Sequence, residues 1–192
     1  PNLADDLVPV RGRAYGVELM ARKTTGKITG WVSYSYSRAR QQEMGDRGYE
    51  AIAHGDWYNA PYDKPHELKL VSNFALTHRY SFSVNVDYST GRPVTVPYGM
   101  YYFGGTYRMA YSTRNAFRIP DYFRTDVAFN IDPGHYLKAI AHTVITIGVY
   151  NVTGRKNPYS VFFKTTPAGE TKGYMLSVFA TQIPYVNLNL LF

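Results

Sequence analysis

Between Thr90 and Asp121 the sequence gathers Arg92, Arg108, Arg114 and Arg118 against a single acid, Asp121. The same stretch holds Tyr98, Tyr101, Tyr102, Phe103, Tyr107 and Tyr111, with Gly99, Gly104 and Gly105 letting the backbone turn. Aromatic faces combined with guanidinium groups suit recognition of a sugar, an aromatic chelate or an anionic group. A second aromatic group, Trp57, Tyr58 and Tyr62, lies within Ala39–Pro65. The candidate ligand-binding residues are therefore Trp57, Tyr58, Tyr62, Tyr98, Tyr101, Tyr102, Arg108 and Arg114. The competing reading is that these side chains pack their own loops.

No other grouping carries reaction chemistry. His54, His66, His78, His135 and His142 are scattered, and none stands at metal-ligand spacing from another His. Ser160 and Ser177 lack the strand-to-helix context of an activated serine. There is no cysteine, hence no disulfide framework and no thiol chemistry. The reading is a non-enzymatic chain with no catalytic residue, no metal site and no cofactor. Net charge is +7, but the 21 Lys and Arg are spread singly, without the stripe or motif of a nucleic-acid site.

The elements that must position the aromatic stretches read as strands. Tyr80, Phe82, Val84, Val86 and Tyr88 are apolar or aromatic, while Ser81, Ser83, Asn85, Asp87 and Ser89 between them are polar. Side chains alternate across a strand, so this is a strand with one apolar face. The same alternation, weaker, marks Tyr15–Arg22, Ile28–Ser37, Glu67–Leu76 and Phe123–Ile131. His142–Tyr150 is a strand by its β-branched content, with both faces apolar enough to leave its orientation open. Pro184–Phe192 is the seventh strand expected; Val186, Leu188, Leu190 and Phe192 form one apolar face running to the final aromatic residue.

Connections alternate in length. Thr24–Lys27, Thr77–Arg79 and Asp132–Ala141 are short; Ala39–Pro65, Thr90–Asp121 and Asn151–Ile183 are long. Aromatics are expected at strand ends, with Phe74, Phe82 and Phe129 at one level and Tyr15, Tyr34, Tyr36, Tyr88, Phe123 and Tyr185 at the other. One-faced strands, aromatic ends and short-then-long connections are the pattern of a transmembrane antiparallel β-barrel. No run approaches the length of a membrane helix. Glu18, Arg22, Lys69, Asp87, Arg124 and Asp126 are then expected to face a polar interior and pair there. Pro1–Arg13 is expected to be loop, and the chain is expected to start within a longer protein, since Pro1 follows no Met and no leader precedes it.

The segments Gly12–Leu19, Gly26–Ser37, Tyr62–His66, Ser89–Pro97, Arg118–Asp126, Tyr150–Val152, Asn157–Phe163 and Ile183–Pro184, in this order, resemble the C-terminal barrel region of TonB-dependent outer-membrane receptors of the Bacteroidetes type. The resemblance covers nearly all of residues 1–192 as one unit. It implies the last seven strands of a roughly 22-stranded barrel whose plug domain lies outside this chain. It further implies a bacterial outer-membrane location and energised uptake of a siderophore, glycan, cobalamin or peptide. The implied partners are the remaining N-terminal part of the same receptor, TonB through that part, outer-membrane lipid or lipopolysaccharide, and a surface lipoprotein. Val186, Leu188, Leu190 and Phe192 would be the assembly signal. Two other readings fit the composition: a soluble carbohydrate-binding β-sandwich and a passive porin-like pore.

Overall fold

The computed structural model describes residues 7–45, 51–133, 142–166, 170–178 and 180–191. His135, Phe192 and most of the connection Asp132–Ala141 lie outside them. The described chain is all-β and antiparallel. Its strands are β1 (Val10–Lys23), β2 (Ile28–Glu43), β3 (Tyr58–Asn59), β4 (His66–Ala75), β5 (Tyr80–Ser89), β6 (Pro93–Val94), β7 (Pro97–Phe103), β8 (Thr106–Tyr111), β9 (Phe117–Arg118), β10 (Tyr122–Ile131), β11 (His142–Tyr150), β12 (Pro158–Thr165), β13 (Thr171–Ser177) and β14 (Ile183–Leu191).

The principal sheet runs β1-β2-β4-β5-β10-β11-β14, with β3 added beside β2. These seven strands are the ones the alternation marks. Sequential neighbours pair throughout, and the sheet stays open, with β1 and β14 as its edges.

Register places every apolar set on one face. One row reads Leu19, Tyr34, Leu68, Tyr88, Phe123; another reads Ile28, Phe74, Phe82, Phe129, Ile147, Val186. Of the two expected aromatic levels, Phe74, Phe82 and Phe129 form one row and Tyr34, Tyr88 and Phe123 share another, whereas Tyr36 lies two residues beyond Tyr34, opposite Val17 and His66, and Tyr15 opposes Arg38. Phe74 and Phe82 lie 6.4 Å apart, centroid to centroid. Pairing also orients β11: Ile145, Ile147 and Val149 oppose Leu188, Val186 and Pro184, so they join the apolar face. Tyr185 is a correction. It opposes Gly148 on the polar face and stacks on Tyr150 at 4.3 Å, away from the aromatic rows.

The opposite face is polar and bonded across strands. Ser83 donates to Asn73 Oδ1 at 3.0 Å; Asn130 Nδ2 donates to Ser81 and Ser83 at 3.3 and 3.1 Å; Thr146 donates to Asn130 Oδ1 at 2.8 Å. Asn130 thereby ties β5, β10 and β11 through side chains, and Asn73 adds β4. Lys69, Asp87 and Arg124 share one row, and Arg124 pairs with Asp126 at 3.0 Å.

Among the described residues nothing packs over the apolar face. Val17, Leu19 and Val186 are 60%, 63% and 72% exposed. Among the described residues only Tyr58, Ala60 and Ile119 are buried apolar side chains, whereas Asp63 and Asn151 are the largest fully buried ones. Burial here is inverted: polar groups are enclosed and apolar groups are displayed.

Two expected boundaries move. β1 already starts at Val10, so Val10–Arg13 is strand, and β2 runs to Glu43, six residues past Ser37. Both extensions are stabilised by pairing with each other, since Val10 opposes Glu43 and Arg13 opposes Arg40. The long connections are not irregular either. β6 pairs with β9, β7 with β8, and β12 with β13.

Candidate ligand-binding site

Antiparallel order sends the connections after β2, β5 and β11 out from one end of the sheet. Buried polar groups fix their bases there. Asp63 is fully enclosed; it accepts from the Ala39 amide at 2.6 Å, pairs with Arg38 at 3.7 Å and is bonded by Arg118. Arg118 also donates to the carbonyls of Asp63 at 2.7 Å and Gly91 at 2.9 Å. One guanidinium therefore ties the first long connection to the second. A buried carboxylate requires this degree of compensation, and removing its partner would leave an isolated charge.

Asparagines serve where the backbone lacks a strand partner. Asn157 receives the Phe123 amide on Oδ1 and donates to the Phe123 carbonyl, both at 2.9 Å, imitating a neighbouring strand. Asn115 donates to the Asn59 carbonyl at 2.7 Å. Asn151 gives its amide to Asp126 at 2.9 Å and its Nδ2 to the Arg155 carbonyl at 3.0 Å. Asp121 accepts from the Gly91 amide at 2.9 Å and the Tyr88 hydroxyl at 2.8 Å. The Gly91 amide, aided by Tyr88, Arg155 and Arg118 against the cost of burial, holds its carboxyl below the ordinary aspartate value. At Gly91 a Cβ would stand 1.7 Å from the Ile119 carbonyl oxygen, so the close approach of these two segments requires glycine.

Above these anchors stand two hairpins. β7 and β8 turn at Gly104 and Gly105, whose φ values of 61° and 81° fit a two-residue turn of positive φ. Tyr102 and Tyr107 meet edge to face at 5.2 Å on one side of the hairpin. Tyr101 pairs with Arg108 on the other side, where Arg108 lies 5.3 Å over Phe103. In the β12–β13 hairpin Phe162 and Tyr174 stack at 5.5 Å, and the Thr165 hydroxyl reaches Met109 Sδ of β8 at 3.7 Å.

Below the hairpins a cleft of about 330 Å³ opens on the polar face. Lys64, Lys69 and Arg92 line it with Glu67, Asp87, Tyr122 and Tyr159. Lys64 and Glu67 pair at 3.6 Å, and Arg92 reaches the Tyr159 carbonyl at 3.5 Å. The cleft offers cations, carboxylates and phenol rings together, a lining able to hold a polar ligand.

The eight candidate residues do not form one cluster. Tyr98, Tyr101, Tyr102 and Arg108 ride on the exposed β7–β8 hairpin, split between its faces. Arg114 borders a separate hollow with His54, Thr95 and Tyr111. Tyr62 is exposed at a turn, whereas Tyr58 is buried in β3. Trp57 lies under Arg13 and Arg11 of β1, at 4.2 and 5.4 Å, on the face that bears Val17 and Leu19. Lys64, Glu67, Tyr122 and Tyr159 are cleft residues that the sequence reading passed over. Lys69 and Asp87 were expected on the polar side, and that alternation is the signal pointing to the cleft. The described residues contain no group of acidic or His side chains arranged to hold a metal. No family model, curated protein or solved structure matches the chain.

Proposed function

We propose that this chain is part of the wall of an outer-membrane β-barrel, the last seven strands of a TonB-dependent receptor, and takes part in uptake of a nutrient ligand. The observation that carries the reading is the inverted burial. Seven paired strands present one exposed, mainly apolar face with aromatic rows, broken by Ser72 and Thr125, while side-chain hydrogen bonds join the polar face. In water an exposed face of this extent is an aggregation surface; in a bilayer it is the solvated side. A soluble β-sandwich would bury that face against a second sheet, and none of the described elements covers it.

Open edges add to the reading. β1 and β14 leave backbone groups unpaired, which hydrocarbon does not tolerate. Each edge therefore pairs with further strands of the same receptor. In this arrangement the polar face lines the lumen beside the plug, and the two hairpins and the cleft look outward from the cell. The ligand is a siderophore, glycan, cobalamin or peptide that meets Tyr101, Tyr102 and Arg108 first and the cleft next.

The test is uptake by cells carrying the full-length protein. Candidate ligands are supplied as the only source of iron, carbon or cobalamin. Growth should require the protein, and dissipating the proton gradient should abolish it. Growth insensitive to the gradient would instead indicate a passive pore. Recovery of the protein in the soluble fraction without detergent would overturn the membrane reading altogether.

A further inference from the structure

We propose that the cleft on the polar face binds short peptides with free termini. The proposal rests on the uptake reading above and assigns its site one ligand class. Three long connections meet at the cleft: Lys64 comes from the connection after β2, Arg92 from the one after β5, and Tyr159 from β12 in the one after β11. Each is fixed at or beside itself. Arg118 donates to the carbonyls of Asp63 and Gly91, at 2.7 and 2.9 Å, and the Ser37 hydroxyl donates to the Lys64 carbonyl at 3.2 Å. Asp121 accepts from the Gly91 amide at 2.9 Å, and Asn157 is bonded both ways to the Phe123 backbone. Backbone held in this way before a ligand arrives is a preformed site, with little ordering left to oppose binding.

The charges in the cleft have a direction. The sheet supplies the floor, where Glu67 of β4 and Asp87 of β5 carry carboxylates and Lys69 stands directly opposite Asp87. The connections supply the rim, where Lys64 and Arg92 are both cations. Two carboxylates against one ammonium leave the floor negative, and the rim is positive. The contacts already made at the rim are weak ones. Lys64 pairs with Glu67 at 3.6 Å with both side chains half exposed, and Arg92 reaches the Tyr159 carbonyl at 3.5 Å. Exposed contacts of this kind contribute little, so a ligand exchanges them at small cost. A ligand with an ammonium at one end and a carboxylate at the other satisfies both levels. Glu67 and Asp87 accept from the ammonium, and Arg92 holds the carboxylate with paired donors.

Charge and length narrow the ligand further. A neutral glycan would take both signs out of water with an ion partner for neither. An anionic chelate would match the rim but bring like charge to Glu67 and Asp87. A free amino acid is too short, because it carries both charges on one carbon. Asp87 lies two residues before Ser89, the end of β5, about 7 Å along the strand, and Arg92 lies beyond that end. Two or three residues, each spanning up to about 3.3–3.6 Å, cover the gap. Tyr122 and Tyr159 also line the cleft, and phenol faces suit the apolar or aromatic side chains of a peptide.

The experiment uses the full-length protein in detergent and native mass spectrometry. Four probes are compared: random-sequence tripeptides with free termini, the same mixture N-acetylated, the same mixture C-amidated, and maltotriose. The free tripeptides should be retained, and either block should lower the retained amount about tenfold or more. Retention of all three peptide mixtures alike, of none of them, or of maltotriose in their place would overturn the assignment. E67Q combined with D87N should remove the penalty of acetylation and keep that of amidation; K64Q combined with R92Q should do the reverse. Penalties unchanged in variants that keep their heat-modifiable migration would overturn the site. If the variants do not assemble, the blocked mixtures on the unaltered protein decide. Heat-modifiable migration of the unaltered protein reports the barrel separately. A folded barrel that ignores the peptides sinks the ligand assignment and leaves the outer-membrane reading standing, whereas a protein without such migration sinks both.

Discussion

Replacing Val84 by Arg tests the assignment of faces most directly. Val84 is four residues from Tyr80 and four from Tyr88 in β5, with Ser72 and Val127 as its neighbours across the ladder. The eight steps from Tyr80 to Tyr88 cover about 27 Å along the strand. At the usual barrel tilt that is about 20 Å along the axis, inside the apolar band of about 25 Å. In the proposed barrel Val84 is therefore at mid-bilayer, where an arginine facing lipid costs about 2–4 kcal/mol. Asn85, one residue on, is exposed on the polar face between Val71 and Asp126. Asn85→Arg keeps its charge in water near a carboxylate and should stay within about 0.5 kcal/mol of the parent. The assay is reversible urea unfolding of the full-length protein in phospholipid vesicles, read by tryptophan emission. A gap of at least about 2 kcal/mol between the two variants is expected. Equal costs, or a larger cost for Asn85→Arg, would refute the assignment of faces.

Three further outcomes follow from the polar face and the loop anchors. Asn130→Ala removes the acceptor of Thr146 and the donor to Ser81 and Ser83, and should cost about 1–3 kcal/mol in the same unfolding assay. Gly91→Ala places a methyl against the Ile119 carbonyl, so residues 90–121 should be cut faster by a protease while heat-modifiable migration of the barrel is retained. Asp121 has a lowered value in the folded chain, so its contribution is full above the ordinary aspartate value near ~4 and is lost as pH falls through the lowered one. Hydrogen exchange in 90–121, corrected for intrinsic rate, should therefore rise in acid, and Asp121→Asn should remove that pH step.

The strands were legible because one property repeats along them. In β5 every odd residue from Ser81 to Ser89 is polar, and no helix can use that period. β11 gave no such contrast, and only its pairing with β14 orients it. The β7–β8 hairpin was half legible: Gly104 and Gly105 mark a turn, and the pairing of Phe103 with Thr106 makes it a two-residue one between two strands. The anchors gave no signal. Asp63, Asn115, Asn151 and Asn157 look like ordinary loop residues, and their burial arises from groups 25 to 56 positions distant. Trp57 was read as a ligand contact from its type alone, and its two arginine neighbours come from β1.

The loops are clamped at their bases: Arg118 donates to the Asp63 carbonyl of a neighbouring connection, Asn157 to the Phe123 carbonyl of β10, and Asn151 to the Arg155 carbonyl within its own connection. The β7–β8 hairpin lies wholly beyond the β6–β9 clasp, between Val94 and Phe117. It is in effect a cassette. Its tip can be lengthened, shortened or exchanged for another without altering a single pairing of the principal sheet. In the proposed receptor a new ligand is acquired by changing the cassette alone, and an engineer can graft a foreign hairpin or epitope between Pro97 and Tyr111, leaving the anchor Asn115 in place.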